Sequence, residues 1–255
     1  VNQFQAAGGL AVIISELLSA GLLHNDVETI VGTGLSHYAK SVEVQQDRLI
    51  WPDNRPASSD RSVVRDVAGP FSPEGGIRLV EGNIGRAIVK VSAVSLENQA
   101  IKAPARVFRS QEEFAEAFEA GDLTSDLVAV LTGQGPRANG MPELHKLSTY
   151  LGLMQSKGLK VAMVTDGRMS GASGKILAAI QVTPEAIVGG MISRIQDGDL
   201  ITVDAKRNKL SVEADLASRH SPDYAHNNIG MGRELFTPMR AQASSAEEGA
   251  SFILR

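Results

Sequence analysis

Leu127-Val128-Ala129-Val130-Leu131, running into Gly133-Gln134-Gly135-Pro136-Arg137-Ala138-Asn139-Gly140-Met141-Pro142-Glu143, decides the fold. A short apolar run ended by glycines reads as a buried strand followed by a loop. Pro142 sits at a favoured first-turn position of the helix that would come next, and Gly158 would stop that helix. Leu159 to Val164 then repeats the strand signal. It ends in a second glycine-rich loop, Asp166-Gly167-Arg168-Met169-Ser170-Gly171-Ala172-Ser173-Gly174-Lys175. Upstream, Ala105 to Phe108 is a strand, and Ser110, three residues before Glu113, opens a helix that stops at Gly121. Two strand–helix–strand units in a row predict a partly parallel sheet with right-handed crossovers, in a mixed α/β fold.

Outward from this centre, Ala87 to Val94 reads as a strand. Met191 to Gln196, Asp197-Gly198-Asp199 and Leu200 to Asp204 read as strand, tight turn and strand, with a further strand over Leu210 to Glu213. Ser244 to Glu248 reads as a helix start. At the other end, Leu10, Ile13, Ile14, Leu17 and Leu18 repeat at helical spacing and Gly21 stops the helix. Asn25, three before Glu28, has the spacing of a second, shorter helix. The chain therefore divides into a helical segment over 1–40, a linker or covering loop over 41–75, rich in Asp, Ser, Pro and Arg, and a third segment over 76–255.

Composition narrows the function. A net charge of -4 and 4% aromatic residues supply neither a phosphate-binding basic surface nor base-stacking platforms, so nucleic acid is not an expected partner. The absence of cysteine excludes disulfides and thiolate ligands to zinc or iron–sulfur clusters from these 255 residues. No apolar run approaches the roughly 18 residues that span a bilayer, and no signal peptide opens the chain. A cytoplasmic protein with no membrane partner is expected. Val1 is not methionine, and the chain enters a helix at once, so the sequence reads as entered in mid-protein.

The two glycine-rich loops are where chemistry belongs. Glycines let backbone approach a ligand, and a helix N-terminus offers unpaired N–H groups. Glu143 reads either as a metal ligand or as an acid complementing a helix dipole. The second loop, with two serines, Arg168 and Lys175, suits a carboxylate or phosphate. It is neither a P-loop, since Ile176 follows Lys175, nor a nucleophile elbow, since no glycine precedes Ser170 by two. No histidine pair has HExxH spacing, and most of His24, His37, His145, His220 and His226 read as surface or satisfied side chains.

At these loops the sequence resembles the dihydroxy-acid and phosphogluconate dehydratase family. Gly135-Pro136-Arg137 through Gly140-Met141-Pro142-Glu143-Leu144 resembles its GPR…GMPE motif, and Thr165-Asp166-Gly167-Arg168-Met169-Ser170-Gly171 its TDGR[FM]SG motif. The likeness continues through Val182-Thr183-Pro184-Glu185-Ala186 and Asp197-Gly198-Asp199, and back to Gly8-Gly9-Leu10. Glu143-Leu144-His145-Lys146-Leu147, Met169 with Ser173-Gly174-Lys175, and Gly232-Arg233-Glu234-Leu235-Phe236 are similar to the phosphogluconate branch.

The resemblance implies a β-rich, barrel-like, swivelling C-terminal domain with flanking helices, preceded by the helical tail of an N-terminal α/β domain. It implies dehydration of a sugar acid to a 2-keto-3-deoxy acid, with Ser170 as the base in alkoxide form and Glu143 as a metal ligand. Arg168, Ser173 and Lys175 are the candidates for the substrate's anionic groups. It also implies a 4Fe-4S cluster, with no ligands among these residues, and a divalent cation such as Mg. The implied partners are the chain's own N-terminal half and a second copy in a homodimer. The isolated piece is expected to be inactive. Two readings compete: a dehydratase of another sugar acid or of branched-chain dihydroxy acids, and a non-catalytic anion-binding domain.

Overall fold

The computed structural model describes residues 1–170, 175–224, 229–230 and 232–253. The chain forms two compact units, Val1–Glu74 and Gly75–Arg255.

The first unit opens with helices α1 (Asn2–Ala6) and α2 (Gly9–Ser19), and α2 ends before Gly21, which takes a left-handed φ of +68°. Ala7, Val12 and Val64 are its buried centre, with Ile13 and Val63 against them. The buried stripe of α2 is Gly9, Val12 and Ser15, while Leu10 stays exposed. Of the expected apolar face, Ile13, Ile14, Leu17 and Leu18 are half-buried and only Leu10 is exposed. The second helix expected from Asn25 does not form, so the helical reading of 1–40 is corrected. Residues 28–33 make a two-stranded hairpin, β1 (Glu28–Thr29) and β2 (Gly32–Thr33). Asn25 Oδ1 instead accepts from the backbone N–H of Leu35 at 2.8 Å, where a short 3-10 turn begins. A second hairpin, β3 (Glu43–Gln45) with β4 (Arg48–Ile50), lies inside the stretch expected to be loop.

The second unit is a closed eight-stranded barrel. Its strands are β5 (Ile77–Gly82), β6 (Gly85–Lys90), β7 (Ala100–Phe108), β8 (Leu127–Leu131), β9 (Val161–Thr165), β10 (Leu177–Thr183), β11 (Leu200–Asp204) and β12 (Lys209–Val212). Around the barrel the order is β10-β6-β5-β12-β11-β7-β8-β9. The run β7-β8-β9-β10 is parallel. The remaining pairs are antiparallel, except β12 with β5, which meet in parallel at Lys209 and Glu81.

β8 and β9 are buried at every position, as strands covered on both faces must be. The period of two divides them. Val128, Val130, Ala162 and Val164 point into the barrel core with Val80, Ile101 and Ile201. Leu127, Ala129, Leu131, Val161 and Met163 pack outside, against Phe114, Leu147, Leu151 and Met154. Those come from the covering helices α3 (Gln111–Glu119) and α5 (His145–Ser156). Ser110 caps α3 as expected, its side chain accepting from Glu113 N at 3.0 Å. The Glu113 carboxylate accepts from Arg109 N rather than from Ser110, so the reciprocal half of the capping box is displaced by one residue.

Three local expectations are corrected. Pro142 does not open a helix: Pro136 opens the short helix α4 (Pro136–Asn139), and α5 starts only at His145. Met191–Arg194 is a 3-10 turn rather than a strand, with Ser193 Oγ donating to Gly190 O at 2.7 Å. The polar tail contains helix α6 (Arg233–Gln242), and Ser245 and Glu248 form a capping box on a short 3-10 turn. Among the described residues no helix is long and apolar enough to cross a membrane.

Candidate active site

Register brings the two glycine-rich loops together. Phe108 pairs with Leu131, and Leu131 with Thr165, so three parallel strands end at one level. Ligand sites in parallel sheets gather beyond such carboxyl ends, where consecutive loops diverge. The loop after β8 and the loop after β9 leave side by side here.

Asp166 ties them. It is fully buried, and its carboxylate accepts from the backbone N–H groups of Gln134 at 2.8 Å, Ala186 at 2.9 Å and Gly133 at 3.2 Å. Burial pushes its carboxyl up from the ordinary Asp value, with these N–H groups pulling the other way. A second buried acid does a similar job. Gly135 precedes α4 and has no side chain to cap it. Glu185 caps the helix from a distant loop, accepting from Arg137 N and Ala138 N at 3.1 and 3.2 Å. Burial raises its carboxyl as well. Gly167 completes the join: a Cβ there would lie 2.7 Å from Gln134 Cβ and 3.0 Å from Leu144 Cδ1.

On this base, Glu143 and Arg168 form a parallel β-bridge, and Leu144 N donates to Arg168 O at 3.1 Å. Glu143 is therefore extended rather than in a first helical turn, and the helix-dipole reading of it falls. Its carboxylate accepts from Arg168 Nη1 at 2.7 Å and from Ser170 N at 2.5 Å. Arg168 Nε donates to Met141 O at 2.8 Å. Glu143, Arg168 and Ser170 thus form one cluster open to solvent, with Ser170 and Arg168 exposed. An acid, a guanidinium and a hydroxyl so held can orient an anion and place an oxygen against it.

Lys175 is not brought there. Leu177 pairs with Ala162, so the chain has crossed to the amino ends of the strands, about 10 Å along the strand direction from Thr165. Lys175 O accepts from Gln155, near the far end of α5. Ser173 lies outside the described residues, as does His226.

The chain spans a little over two fifths of the length of the curated relatives it matches. It is 52% identical over 254 residues to a phosphogluconate dehydratase of Pseudomonas aeruginosa, covering 98% of this chain and 42% of that one. It is 49% identical over 258 residues to the Escherichia coli K12 phosphogluconate dehydratase, covering 99% and 43%. To a dihydroxy-acid dehydratase of Caldanaerobacter subterraneus it is 36% identical over 217 residues, covering 84% and 36%. A family model described as dihydroxy-acid/6-phosphogluconate dehydratase C-terminal matches residues 62–250. The chain belongs to this dehydratase family.

Metal chemistry is the expectation for this dehydratase family. There is no cysteine to ligate a cluster. Among the described residues no three His, Asp or Glu side chains gather as a cation site. Glu143 is a single carboxylate whose two oxygens already accept from Arg168 and Ser170. These residues do not by themselves fit a 4Fe-4S cluster or a magnesium ion.

Sequence reasoning did not pick out Asp166, Glu185 and Gly167 as the fasteners of the site. The available signal was one acid at the end of β9 with glycines on either side of the gap. It also did not place α6, whose Arg233 and Arg240 stand beside Arg168.

Proposed function

We propose that this chain is the C-terminal part of a phosphogluconate dehydratase, which converts 6-phosphogluconate to 2-keto-3-deoxy-6-phosphogluconate and water. The observation that carries the reading is identity near 50% along almost the whole chain to phosphogluconate dehydratases, against 36% to a dihydroxy-acid dehydratase. In the reaction the C2–H and C3–O bonds break, a C2–C3 double bond forms, and the enol becomes the ketone. Ser170 is the proton acceptor at C2, in the ionised form of its hydroxyl. Glu143 fixes Ser170 through its backbone N–H and fixes Arg168 through its guanidinium. Arg168, held by Glu143 and by Met141 O, is the contact for the substrate carboxylate. These residues hold no cysteine for the family's cluster, and Glu143 is the carboxylate they would contribute to its cation.

The test uses native-length enzyme carrying this sequence. We expect kcat/KM for 6-phosphogluconate to exceed that for gluconate and for 2,3-dihydroxyisovalerate by at least 100-fold. Ser170→Ala should abolish both turnover and exchange of the C2 hydrogen with solvent deuterium, with an unchanged circular dichroism spectrum. Equal turnover of dihydroxyisovalerate would overturn the substrate assignment, and near-normal turnover by Ser170→Ala would remove Ser170 from the chemistry.

A further inference from the structure

A cavity of about 590 Å³ opens next to the Glu143–Arg168 pair, within the size range of small-molecule sites. Three guanidinium groups line it: Arg168 from the loop after β9, and Arg233 and Arg240 from the two ends of α6. Phe236 and Phe252 supply apolar walls. Among the described residues that line it there is no carboxylate.

The construction of these arginines is not that of a solvated surface. Arg240 is almost fully buried, and its guanidinium donates to Arg233 O and Thr237 Oγ1 at 3.3 and 3.2 Å. That holds the start of α6, where Arg233 sits, and keeps a third positive charge close behind the wall. The opposite wall is fixed too. Arg137 Nε donates to Ala243 O at 2.7 Å, tying α4 to the residue after α6. Planar guanidinium groups match the oxygens of a phosphate by paired donors, which ammonium groups do not. An apolar wall beside them suits the carbon chain of a sugar acid.

We propose that this cavity is an oxyanion subsite for a phosphate monoester. Arg233 is its principal contact, Arg168 joins it to the reacting end, and Arg240 is a positioning residue. The assignment of the ester to the substrate rests on the phosphogluconate dehydratase reading. That substrate carries its phosphate at the end of the chain remote from C2, and the cavity lies beside Ser170 rather than on it.

The experiment uses native-length enzyme with Arg233→Met and Arg233→Lys, both checked for an unchanged melting curve. Inorganic phosphate is the probe, titrated by calorimetry and as an inhibitor. Phosphate is expected to bind wild type and to compete with 6-phosphogluconate. In Arg233→Met its Kd and Ki should rise about 10- to 100-fold, the loss that follows removal of a hydrogen bond to a charged group. The preference for 6-phosphogluconate over gluconate should fall by the same factor, and Arg233→Lys should recover part of it. Unchanged phosphate affinity in Arg233→Met would overturn the subsite, whatever the enzyme turns over. If wild type binds phosphate through Arg233 but does not turn over 6-phosphogluconate, the subsite stands and the dehydratase reading fails.

Discussion

Replacing Asp166 by asparagine tests whether the two glycine-rich loops are held by one side chain. The carboxylate uses Oδ2 for Gly133 N and Ala186 N, and Oδ1 for Gln134 N. An asparagine can keep its oxygen on one side only. With the oxygen toward Gly133 and Ala186, its amide N–H₂ meets the Gln134 N–H donor to donor. One hydrogen bond to a charged acceptor is lost, worth about 1.5–3 kcal/mol. The cost of burying a charge is relieved in return, so the expected net loss is about 1–3 kcal/mol. Alanine leaves three buried N–H groups without acceptors, at about 1–3 kcal/mol each, a large share of the 5–15 kcal/mol that holds a typical domain. Urea unfolding followed by far-ultraviolet circular dichroism reads this. Tryptophan fluorescence does not, because the one tryptophan, Trp51, belongs to the other unit. An asparagine variant as stable as wild type, or less stable than the alanine variant, would refute the assignment.

Two further outcomes are expected. Gly167→Ala forces a Cβ to within 3 Å of Gln134 and Leu144, so the loops must part. Overpacking of this kind costs about 1–3 kcal/mol, and turnover in the native-length enzyme should fall at least tenfold, as a steady-state assay would register. Asp199 gives a pH signature. Partial burial raises its carboxyl, but the paired bonds to Arg219 and the N–H of Gln196 outweigh that and hold it below the ordinary value of 3.8. Its folded pKa being depressed, its contribution is present above about pH 3.8 and is lost as pH falls through the folded value. The stability gap between wild type and Asp199→Asn should therefore be constant near neutrality and close in acid, as denaturation at stepped pH would reveal. A gap that widens in acid would contradict the pairing.

The parallel half of the barrel was legible because its strands are short, apolar and bounded by glycine. Leu127 to Leu131 is the strand that the sequence predicts, and Ser110 and Gly121 bound α3 as local chemistry demands. Expectations failed where distant partners decide the local structure. Asn25 has a capping spacing to Glu28, yet its side chain binds Leu35. Pro142 looked like a helix start, but the β-bridge between Glu143 and Arg168 keeps that stretch extended. α6 carries Pro238 inside it, which ordinary propensity counts against. Of the site, Glu143, Arg168 and Ser170 could be named from motif and loop chemistry. Lys175 shares the second loop in sequence, but the register of β10 against β9 sets its backbone near the amino ends of the strands.

Barrel closure has a colloidal consequence. An open sheet of β strands would offer unpaired N–H and C=O rows at two borders, a template for joining other chains. Here every strand of the second unit has neighbours on both sides. The narrowest weld is between β12 and β5, where one register pair spans the joint. Gly82 lets the two backbones close there, since a Cβ at that position would fall 2.0 Å from Leu210 O. Asn83 fastens the same joint with its side chain, donating to Val212 O at 2.8 Å and accepting from Val212 N at 2.9 Å, so two neighbouring residues of one turn keep an adhesive border from opening.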